Sequence, residues 1–553
     1  MRLFKFVFGK ILGGLFAIAA IVLVVGLWKL QMLPVKVVIL VGALLTLATA
    51  LVIALTWPER RDVLTKVAII VALVGISITA MALTIVLWQG QIIPAKLREL
   101  VGILLVLIMA VVILLSLSSR DNVRFVFGIV LAAIGIAVMC TGSFYVWKAV
   151  STLNDLSAGD TEIVQMGVYM RGDDARELNS ETVGELQFGI LTSMDRQATD
   201  KVIEKLNKEL KTEISCKEYE SPSELVDALL KSEKDAIIVN RAVLQLLEDI
   251  PGYAEKLTKI KEVYTHNVEI KTDNDENGGE TAKPNYASLK DSFAIYISGI
   301  DTRGGKVSVK GRSDVNIVAV VNPETRQILL VSTPRDYYVP ISSPQKGLDG
   351  KKDKLTHAGL GGPNASRETL SNLYGIDINY YFKVNFSGFQ EIVDALGGIS
   401  VYSEFSFRDG QYSFTKGMNQ MDGEKALAFC RNRYAFATGD NQRGKNQMAV
   451  IKAVIDKAMS PKLLTNYAQI LEAVAGSMEM TVPMEVIGDL VSRQLAEGGS
   501  WNVVSYSVTG TGGSEASPAA GGAEAYMMYP NQESVDKAKQ LIMDLVDGKT
   551  VTP

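Results

Sequence analysis

The 553-residue sequence predicts a membrane-anchored α/β protein in which five N-terminal transmembrane helices precede two α/β domains. Three observations support this prediction. Five uncharged apolar runs fill the first 150 residues. Strand-like and helix-like segments alternate over residues 160–270, as in a small α/β domain. A longer alternation, richer in strands, occupies residues 291–550 and predicts a mixed sheet with helices on both faces.

The apolar runs predict the membrane anchor. They lie at about residues 11–28, 37–57, 67–88, 100–118 and 125–147, and each approaches the roughly 20 residues needed to cross a bilayer. More spans follow the first run, so we do not interpret it as a cleaved signal peptide. None of the five contains Asp, Glu, Lys or Arg. The bundle is therefore interpreted as an anchor, because transporters and proton relays usually need ionisable groups at depth. A lipid-binding groove that feeds the outer domains is the alternative.

The charged residues between the spans predict the orientation. Lys and Arg are more frequent in the N-terminal segment and at residues 58–66 and 119–124 than in the intervening loops. By the positive-inside rule the N-terminus is cytoplasmic, and five crossings place everything from about residue 150 outside the cell. We therefore predict a multi-pass protein of the cytoplasmic membrane with extracellular C-terminal domains.

Composition narrows the class of protein. The formal net charge is −4, from 56 Lys and Arg against 60 Asp and Glu, which argues against nucleic-acid binding. Only two of the three cysteines lie beyond the predicted spans, so no disulfide framework is expected.

Residues 160–270 predict an accessory α/β domain with β-α-β connections. Apolar runs at 188–191, 214–219 and 236–240 are typical of strands, and the segments 197–211 and 221–231 have the pattern of amphipathic helices. The polar, turn-rich segment 271–290 is interpreted as a linker to the next domain.

In the last domain, β-rich runs at 293–299, 315–322 and 327–333 predict three strands, the last two joined as a hairpin. The Gly-, Ala- and Ser-rich segment 509–524 is expected to be a mobile loop, and a closing strand and helix are expected at 526–547. Further helices are predicted at about 364–374, 387–396, 422–430 and 440–459, with strands at 380–385 and 399–404.

Arg and Asp residues stand where the three strands begin or end. Asp301 and Arg303 follow the first strand, Arg312 and Asp314 open the second, and Arg335 follows the third. If the first two strands are antiparallel neighbours, all five converge on one sheet edge. Guanidinium groups match phosphate oxygens and carboxylates suit Mg²⁺, so the set predicts a site for an anionic phosphate and a divalent cation.

The helix predicted to begin near Asp440 offers a second group of polar side chains. Asp440, Arg443 and Gln447 are spaced so that they share one face, and Arg431 and Arg433 precede the helix by a short loop. A helix N-terminus with such a face is a favourable anion site. An ordinary surface helix carrying an Asp–Arg pair is the alternative, and the spacing alone does not decide between them.

Taken together and in order, these motifs resemble the LytR-CpsA-Psr family over roughly residues 291–460. The membrane helices and accessory domain are similar to the capsule-associated branch. The motifs that carry the resemblance are Gly-Ile-Asp-Thr-Arg at 299–303, Arg-Ser-Asp at 312–314, Ser-Thr-Pro-Arg-Asp at 332–336, Lys-Leu-Thr-His-Ala at 354–358, Asp-Ala-Leu-Gly-Gly at 394–398, and Arg-Asn-Arg followed by Asp-x-x-Arg and Gln at 431–447.

The resemblance implies an α/β/α sandwich that acts as a phosphotransferase of the Gram-positive cell surface. The donor would be an undecaprenyl-pyrophosphate-linked anionic glycopolymer, teichoic acid-like or capsular. The acceptor would be peptidoglycan, with polymer synthesis or export proteins as further partners. A polyprenyl pyrophosphate hydrolase is one alternative. A non-catalytic envelope regulator or transcription attenuator is another, although the predicted topology argues against it.

The resemblance also implies roles for individual residues. Catalysis is expected from Asp440 and Arg443, and Mg²⁺, with Mn²⁺ as the alternative, would be bound by Asp301 and Asp314. His357 is expected to be a structural, hydrogen-bonded residue. The pyrophosphate would be bound by Arg303, Arg312, Arg335, Arg431, Arg433 and Gln447.

Overall fold

The computed structural model describes residues 122–157, 161–271, 291–300, 310–345, 347–436, 439–460 and 478–553, with scattered positions between 71 and 111 and at 470, 474 and 476. The first two predicted spans lie outside these residues, and the third and fourth are described only in part.

Helix α1, Asn122–Ser157, covers the fifth predicted span. Within it Val126–Phe144 is long and apolar enough to cross a membrane, and it is the one such helix among the described residues. Ala132 and Met139 are buried in a small cluster with Ile76 and Ala80, whereas large side chains such as Val138 remain 65 % exposed. A helix that is apolar all round suits a bilayer or a protein core. The five-span topology therefore remains a prediction, of which one candidate span is observed.

The accessory domain is built on a five-stranded mixed sheet in the order β3-β2-β4-β1-β5. The predicted strand-helix-strand unit is present, because β2 pairs in parallel with both β3 and β4. Two long strands were not predicted: β1, which pairs in antiparallel fashion with both β4 and β5, and β5 itself at the edge of the sheet. The strands are β1 (Thr161–Arg171), β2 (Phe188–Leu191), β3 (Cys216–Tyr219), β4 (Ala236–Asn240) and β5 (Ile260–Lys271), and the helices are α2 (Arg196–Leu210), α3 (Pro222–Leu230), α4 (Arg241–Leu247) and α5 (Tyr253–Leu257).

The second sheet has six strands in the order β16-β11-β6-β7-β8-β17. Its centre is antiparallel, since β6 pairs with β7 and β7 with β8, whereas β11 and β17 add in parallel on either side. The mixed sheet is therefore confirmed, and so is the β7–β8 hairpin, whose turn is held by Asn322 accepting from the backbone N–H groups of Glu324 and Thr325. The strands are β6 (Phe293–Ile300), β7 (Ser313–Asn322), β8 (Gln327–Ser332), β11 (Tyr380–Asn385), β16 (Met478–Met480) and β17 (Asn502–Ser507).

Helices cover both faces of this sheet. Leu329 and Val331 of β8 are buried with Leu370 and Leu541, which lie in helices α7 (Pro363–Tyr374) and α12 (Gln532–Val546). Ser332 has the opposite parity along the strand, and it lies against α10 (Asp440–Ala458), where a Cβ on Gly444 would come within 3.0 Å of its Oγ. The three-layer arrangement agrees with the predicted sandwich.

Smaller elements complete the domain. The remaining strands are β9 (Tyr338–Pro340), β10 (Lys352–Lys354), β12 (Ile399–Ser403), β13 (Phe407–Asp409), β14 (Tyr412–Phe414), β15 (Gly417–Met421), β18 (Gly510–Ser517) and β19 (Ala523–Pro530), and the remaining helices are α6 (Leu355–Ala358), α8 (Phe386–Ala395), α9 (Gly423–Arg431) and α11 (Met484–Glu497).

The prediction of a mobile loop at 509–524 is wrong, because β18 and β19 pair along their whole length. Aromatic rings lie over the glycines of β18: a Cβ on Gly513 would fall 2.2 Å from the ring of Tyr529, and one on Gly512 would fall 2.9 Å from the ring of Tyr526. The glycines that suggested a loop therefore admit cross-strand rings into an ordered hairpin.

The two domains share a hydrophobic core. Val226, Val243 and Leu247 of the accessory domain are buried in one cluster with Leu360 and Met527 of the larger domain. Apolar side chains of the two domains therefore pack against each other in one buried cluster.

Candidate functional site

The ends of the three central strands lie at one edge of the larger sheet. Ile300 at the end of β6 pairs with Ser313 at the start of β7, and Ile317 of β7 pairs with Ser332 at the end of β8. The predicted condition, that the first two strands are antiparallel neighbours, therefore holds. Asp301 and Arg303, which follow β6, lie outside the described residues.

Asp314 and Arg335 meet at this edge. Arg335 Nη1 donates a hydrogen bond of 2.8 Å to Asp314 Oδ1, and Arg335 Nε lies 3.7 Å from Asp336 Oδ2. Burial opposes the charged form of Arg335, but the carboxylates of Asp314 and Asp336 outweigh it and raise the pKa of the guanidinium above its usual value. Arg335 Nε is buried and finds no hydrogen-bond partner among the described residues. A buried donor in this condition indicates a place for a ligand or ordered water.

Helix α10 brings a second set of residues to the same edge. A small cleft that opens to solvent has both Arg335 and Arg443 in its wall. Arg443 is only 9 % exposed. The alternative in which Arg443 lies on an ordinary surface helix is therefore wrong. The cleft is lined by Asp314, Asn316, Ser332, Thr333, Pro334, Arg335, Asn441, Arg443, Gly444, Gln447, Ser507 and Val508.

The first turn of α10 lies at the wall of the cleft. The helix begins at Asp440 after Gly439, whose φ of 51° is a conformation that glycine adopts readily. Arg443 N donates to Gly439 O over 3.2 Å, and Gln447 Nε2 donates to Cys430 O over 3.5 Å. The backbone N–H groups of a first helical turn add a favourable field for an anion.

Arg312 does not line the cleft. Its Nη1 donates a 3.0 Å hydrogen bond to Asp249 Oδ2, a residue of the accessory domain. Lys354 Nζ lies 3.6 Å from the same oxygen. Burial raises the pKa of Asp249, but Arg312 and Lys354 overcome this and hold it below its usual value. The carboxylate is therefore ionised beside two cations.

Arg431 and Arg433 flank the cleft without lining it. The guanidinium carbon of Arg431 lies 4.3 Å from the centre of the Phe386 ring, a cation–π distance. Arg433 Nη2 donates to the hydroxyl of Tyr434 over 2.7 Å, and Tyr434 is 86 % exposed. The pKa of Tyr434 is lowered, first by Arg433 and further by Arg335 and Arg443, so Arg433 belongs to the same positively charged region as these two arginines.

The residues available for a metal ion are few. Among the described residues there is no group of three or more His, Cys, Asp or Glu side chains that could hold one. A Mg²⁺ ion in a phosphoryl-transfer site, however, typically takes one or two carboxylates together with substrate phosphates and water. Asp314 is a carboxylate in the wall of the cleft with Oδ1 already paired to Arg335. The donor chemistry therefore fits a Mg²⁺ ion shared with a phosphate.

His357 is structural, as expected. It is 2 % exposed, and its Nδ1 lies 2.9 Å from Asp353 Oδ1. Asp353 also accepts from Ser517 Oγ and the backbone N–H of Ala519. This group ties β10 to the β18–β19 hairpin. Sequence reasoning missed Asp249 as the partner of Arg312, because the two stand 63 positions apart and no sequence pattern links them. Lys354 was named only as part of a family motif.

A mixed α/β domain with arginines and a carboxylate around a helix N-terminus is an arrangement suited to a phosphate-bearing anion. The chain belongs to the LytR_cpsA_psr family, whose model matches residues 257–542. This confirms the resemblance inferred from the motifs.

Two relatives are polyisoprenyl-teichoic acid–peptidoglycan teichoic acid transferases called TagU. The protein of Enterococcus faecalis is 39 % identical over 203 residues, which make up 36 % of this chain and 65 % of that protein. The protein of Bacillus cereus is 35 % identical over 222 residues, 40 % of this chain and 69 % of that protein. The chain thus spans about two thirds of the length of these relatives. The crystal structure of B. subtilis TagV is similar at 28 % identity, covering 47 % of this chain and 99 % of that one with a TM-score of 0.39.

Proposed function

We propose that this protein transfers an anionic glycopolymer, teichoic acid-like or capsular, from an undecaprenyl-pyrophosphate carrier to peptidoglycan. Family membership and the names of the relatives support this proposal. The observation that carries it is the cleft in which Asp314, Arg335, Arg443 and Gln447 meet beside the start of α10. Planar guanidinium groups around a helix N-terminus match the charge and shape of a pyrophosphate.

In the proposed reaction a sugar hydroxyl of peptidoglycan attacks the phosphorus that carries the glycan. A new P–O bond forms to the acceptor oxygen, the P–O bond to the bridging oxygen breaks, and undecaprenyl phosphate leaves with the electron pair. Phosphoryl transfer of this kind depends on positioning and on neutralising the phosphate oxygens. Arg335, Arg443 and Gln447 bind those oxygens from inside the cleft, and Arg312, Arg431 and Arg433 act from its surroundings. Arg303, which lies outside the described residues, is the remaining proposed phosphate ligand.

Arg443 and Asp440 are the proposed catalytic pair. Arg443, in the wall of the cleft, stabilises the charge that develops on the transferred phosphoryl group. Asp440, one helical turn earlier and the first residue of α10, receives the proton of the attacking hydroxyl.

Asp314 and Asp301 are the proposed ligands of Mg²⁺, with Mn²⁺ as the alternative. When bound, such an ion would neutralise part of the charge on the phosphate oxygens. Asp314 already orients Arg335 through one carboxylate oxygen, so it would link the metal site to the arginine set.

The donor is a membrane lipid, which suits a catalytic domain tethered beside the bilayer. We propose that the five predicted spans form this tether, with the N-terminus cytoplasmic and both α/β domains outside. The helix Val126–Phe144 supports the last of these spans. Polymer synthesis or export proteins are the remaining proposed partners.

The test uses the full-length protein in detergent, an undecaprenyl-pyrophosphate-linked glycan and purified peptidoglycan. We expect transfer of glycan phosphate to the wall, lost in Arg443→Ala. Arg408→Ala is the matched control, because Arg408 lies in the same domain with its Nε bonded to Ser413 Oγ at an exposed site. Glycan released only into water would identify a pyrophosphatase instead. Mass spectrometry of lipid that co-purifies with the protein, beside an Arg335→Ala/Arg431→Ala variant, tests the phosphate clamp independently.

A further inference from the structure

The accessory domain contacts the segment that leads into β7. Lys310 N donates to Ile163 O over 2.9 Å, and Lys310 Nζ lies 2.6 Å from Glu162 Oε2, with both side chains nearly buried. Two residues later, Arg312 is bound by Asp249 at 3.0 Å. The accessory domain therefore holds this segment at two points immediately before Asp314, which lines the cleft.

These contacts are built into a rigid interface. The hydrophobic cluster that includes Val243 and Leu247 of α4 continues into the larger domain through Leu360 and Met527. Gly362 of the larger domain lies in close contact with Glu162 of the accessory domain, because a Cβ on Gly362 would come within 2.1 Å of Glu162 Oε1. An element held by shared core packing does not swing away when a ligand binds, so Asp249 is a fixed part of the site's surroundings.

Asp249 lies between two cations that water barely reaches. The side chains of Arg312 and Lys354 are 10 % and 3 % exposed, and Lys354 Nζ also lies 3.4 Å from Asp336 Oδ1. A buried cation needs a fixed counter-charge to hold its position. A guanidinium has five N–H donors in one plane, so a carboxylate on Nη1 fixes that plane and leaves other donors for a phosphate.

We propose that the accessory domain completes the donor site, and that Asp249 is a positioning residue that orients Arg312, together with Lys354, toward the pyrophosphate of the lipid-linked donor. This inference rests on the proposed function, since it assumes a pyrophosphate ligand. It assigns the accessory domain a direct part in donor binding. The fixed interface argues against the opposite role, in which Asp249 would compete with the donor for Arg312.

The test compares full-length wild-type protein with Asp249→Asn, which keeps the shape and removes the charge, and with Asp249→Glu, which restores it. Farnesyl pyrophosphate is the binding probe, and kcat and KM of glycan transfer are measured beside it. We expect Asp249→Asn to weaken binding of the probe about tenfold and to raise KM more than it lowers kcat, as for other residues that orient a ligand-binding side chain. Asp249→Glu should recover part of the loss.

Two controls separate positioning from a general loss of structure. Asp227→Asn removes another accessory-domain carboxylate, which pairs with Lys256 in a half-buried ion pair, and it should bind the probe like the wild type. In an Arg312→Ala background, Asp249→Asn should have no further effect, because it acts through Arg312.

The outcomes are distinct. Wild-type protein that does not bind the probe overturns the proposed function. Wild-type binding with equal or tighter binding by Asp249→Asn overturns only the inference. A further loss in the Arg312→Ala background also overturns it, since Asp249 would then act by another route.

Discussion

Two arginine clusters in this protein have similar composition but different surroundings. In the accessory domain, Arg176 Nη2 lies 2.6 Å from both Asp174 Oδ2 and Asp235 Oδ1. In the larger domain, Arg335 lies between Asp314 and Asp336. Both clusters place one guanidinium between two carboxylates next to a mixed sheet.

The clusters differ in how completely the guanidinium is satisfied. Arg176 donates through both Nε and Nη2, to Asp174 and Asp235. Arg335 donates through Nη1 to Asp314, whereas its buried Nε finds no hydrogen-bond partner among the described residues and the side chain lines a cleft. A guanidinium paired through both Nε and Nη2 stabilises a loop, whereas one with a spare buried donor beside a cleft is suited to a ligand.

The largest expected effect comes from Arg335→Ala. It removes a proposed phosphate ligand, and we expect kcat for glycan transfer to fall about 100- to 1,000-fold, as when one preorganised donor is lost at other active sites. Arg176→Ala should retain wild-type kcat. Steady-state transfer assays on both variants test the comparison, and equal losses in the two would remove the distinction between them.

Arg335→Lys should have a smaller effect. The lysine keeps the charge but loses the planar fork that holds Asp314 and a phosphate together, so we expect roughly a tenfold fall in kcat/KM. Wild-type kinetics in this variant would mean that only charge matters at this position. The same assay, with Arg408→Lys as control, decides the point.

Arg176→Ala should lower stability instead of activity. It leaves Asp174, whose side chain is 5 % exposed, without its shortest ion pair, and we expect a loss of about 1–3 kcal/mol in the free energy of unfolding. Thermal unfolding in detergent, followed by tryptophan fluorescence and by proteolysis of the accessory domain, measures it. An unchanged melting temperature would show that the cluster is not structural.

The smallest expected effect is a change in thermal stability at low pH. Hydrogen bonding with Arg176, against some burial, lowers the pKa of Asp174 from 3.8 to about 2. A carboxyl with a depressed folded-state pKa stabilises the protein above its unfolded pKa, and this contribution is lost as pH falls through the folded value. The difference in melting temperature between wild type and Asp174→Asn should therefore be full at pH 6 and shrink between about pH 4 and pH 2. A pH-independent difference would contradict this assignment.

Local signals in the sequence were sufficient for many elements. The strand Tyr380–Asn385 and the helix Pro363–Tyr374 lie within one residue of their predicted bounds, because proline at the first turn and glycine after the last define the helix. The helix predicted over residues 221–231 is also present, and Ser221 caps it, since its Oγ accepts from Glu224 N. These features depend on neighbours within a few residues.

The sequence by itself determined the type of protein: apolar runs long enough for a membrane, two α/β domains, and a set of arginines and aspartates at strand ends. The sequence also predicted one phosphate-binding site, and four of the residues assigned to it line the cleft. These residues are Asp314, Arg335, Arg443 and Gln447. Such information is carried by residue type and short-range periodicity, which the chain encodes locally.

Only the tertiary structure decided which charges meet and which segments become strands. The β1–β5 pair joins residues about 100 positions apart, and the glycine-rich segment before β19 became a strand because a partner and two tyrosine rings lie against it. Arg312 pairs with Asp249 of the other domain, a contact that no local pattern predicts. Long-range pairing depends on the packing of distant surfaces, and no local pattern specifies it.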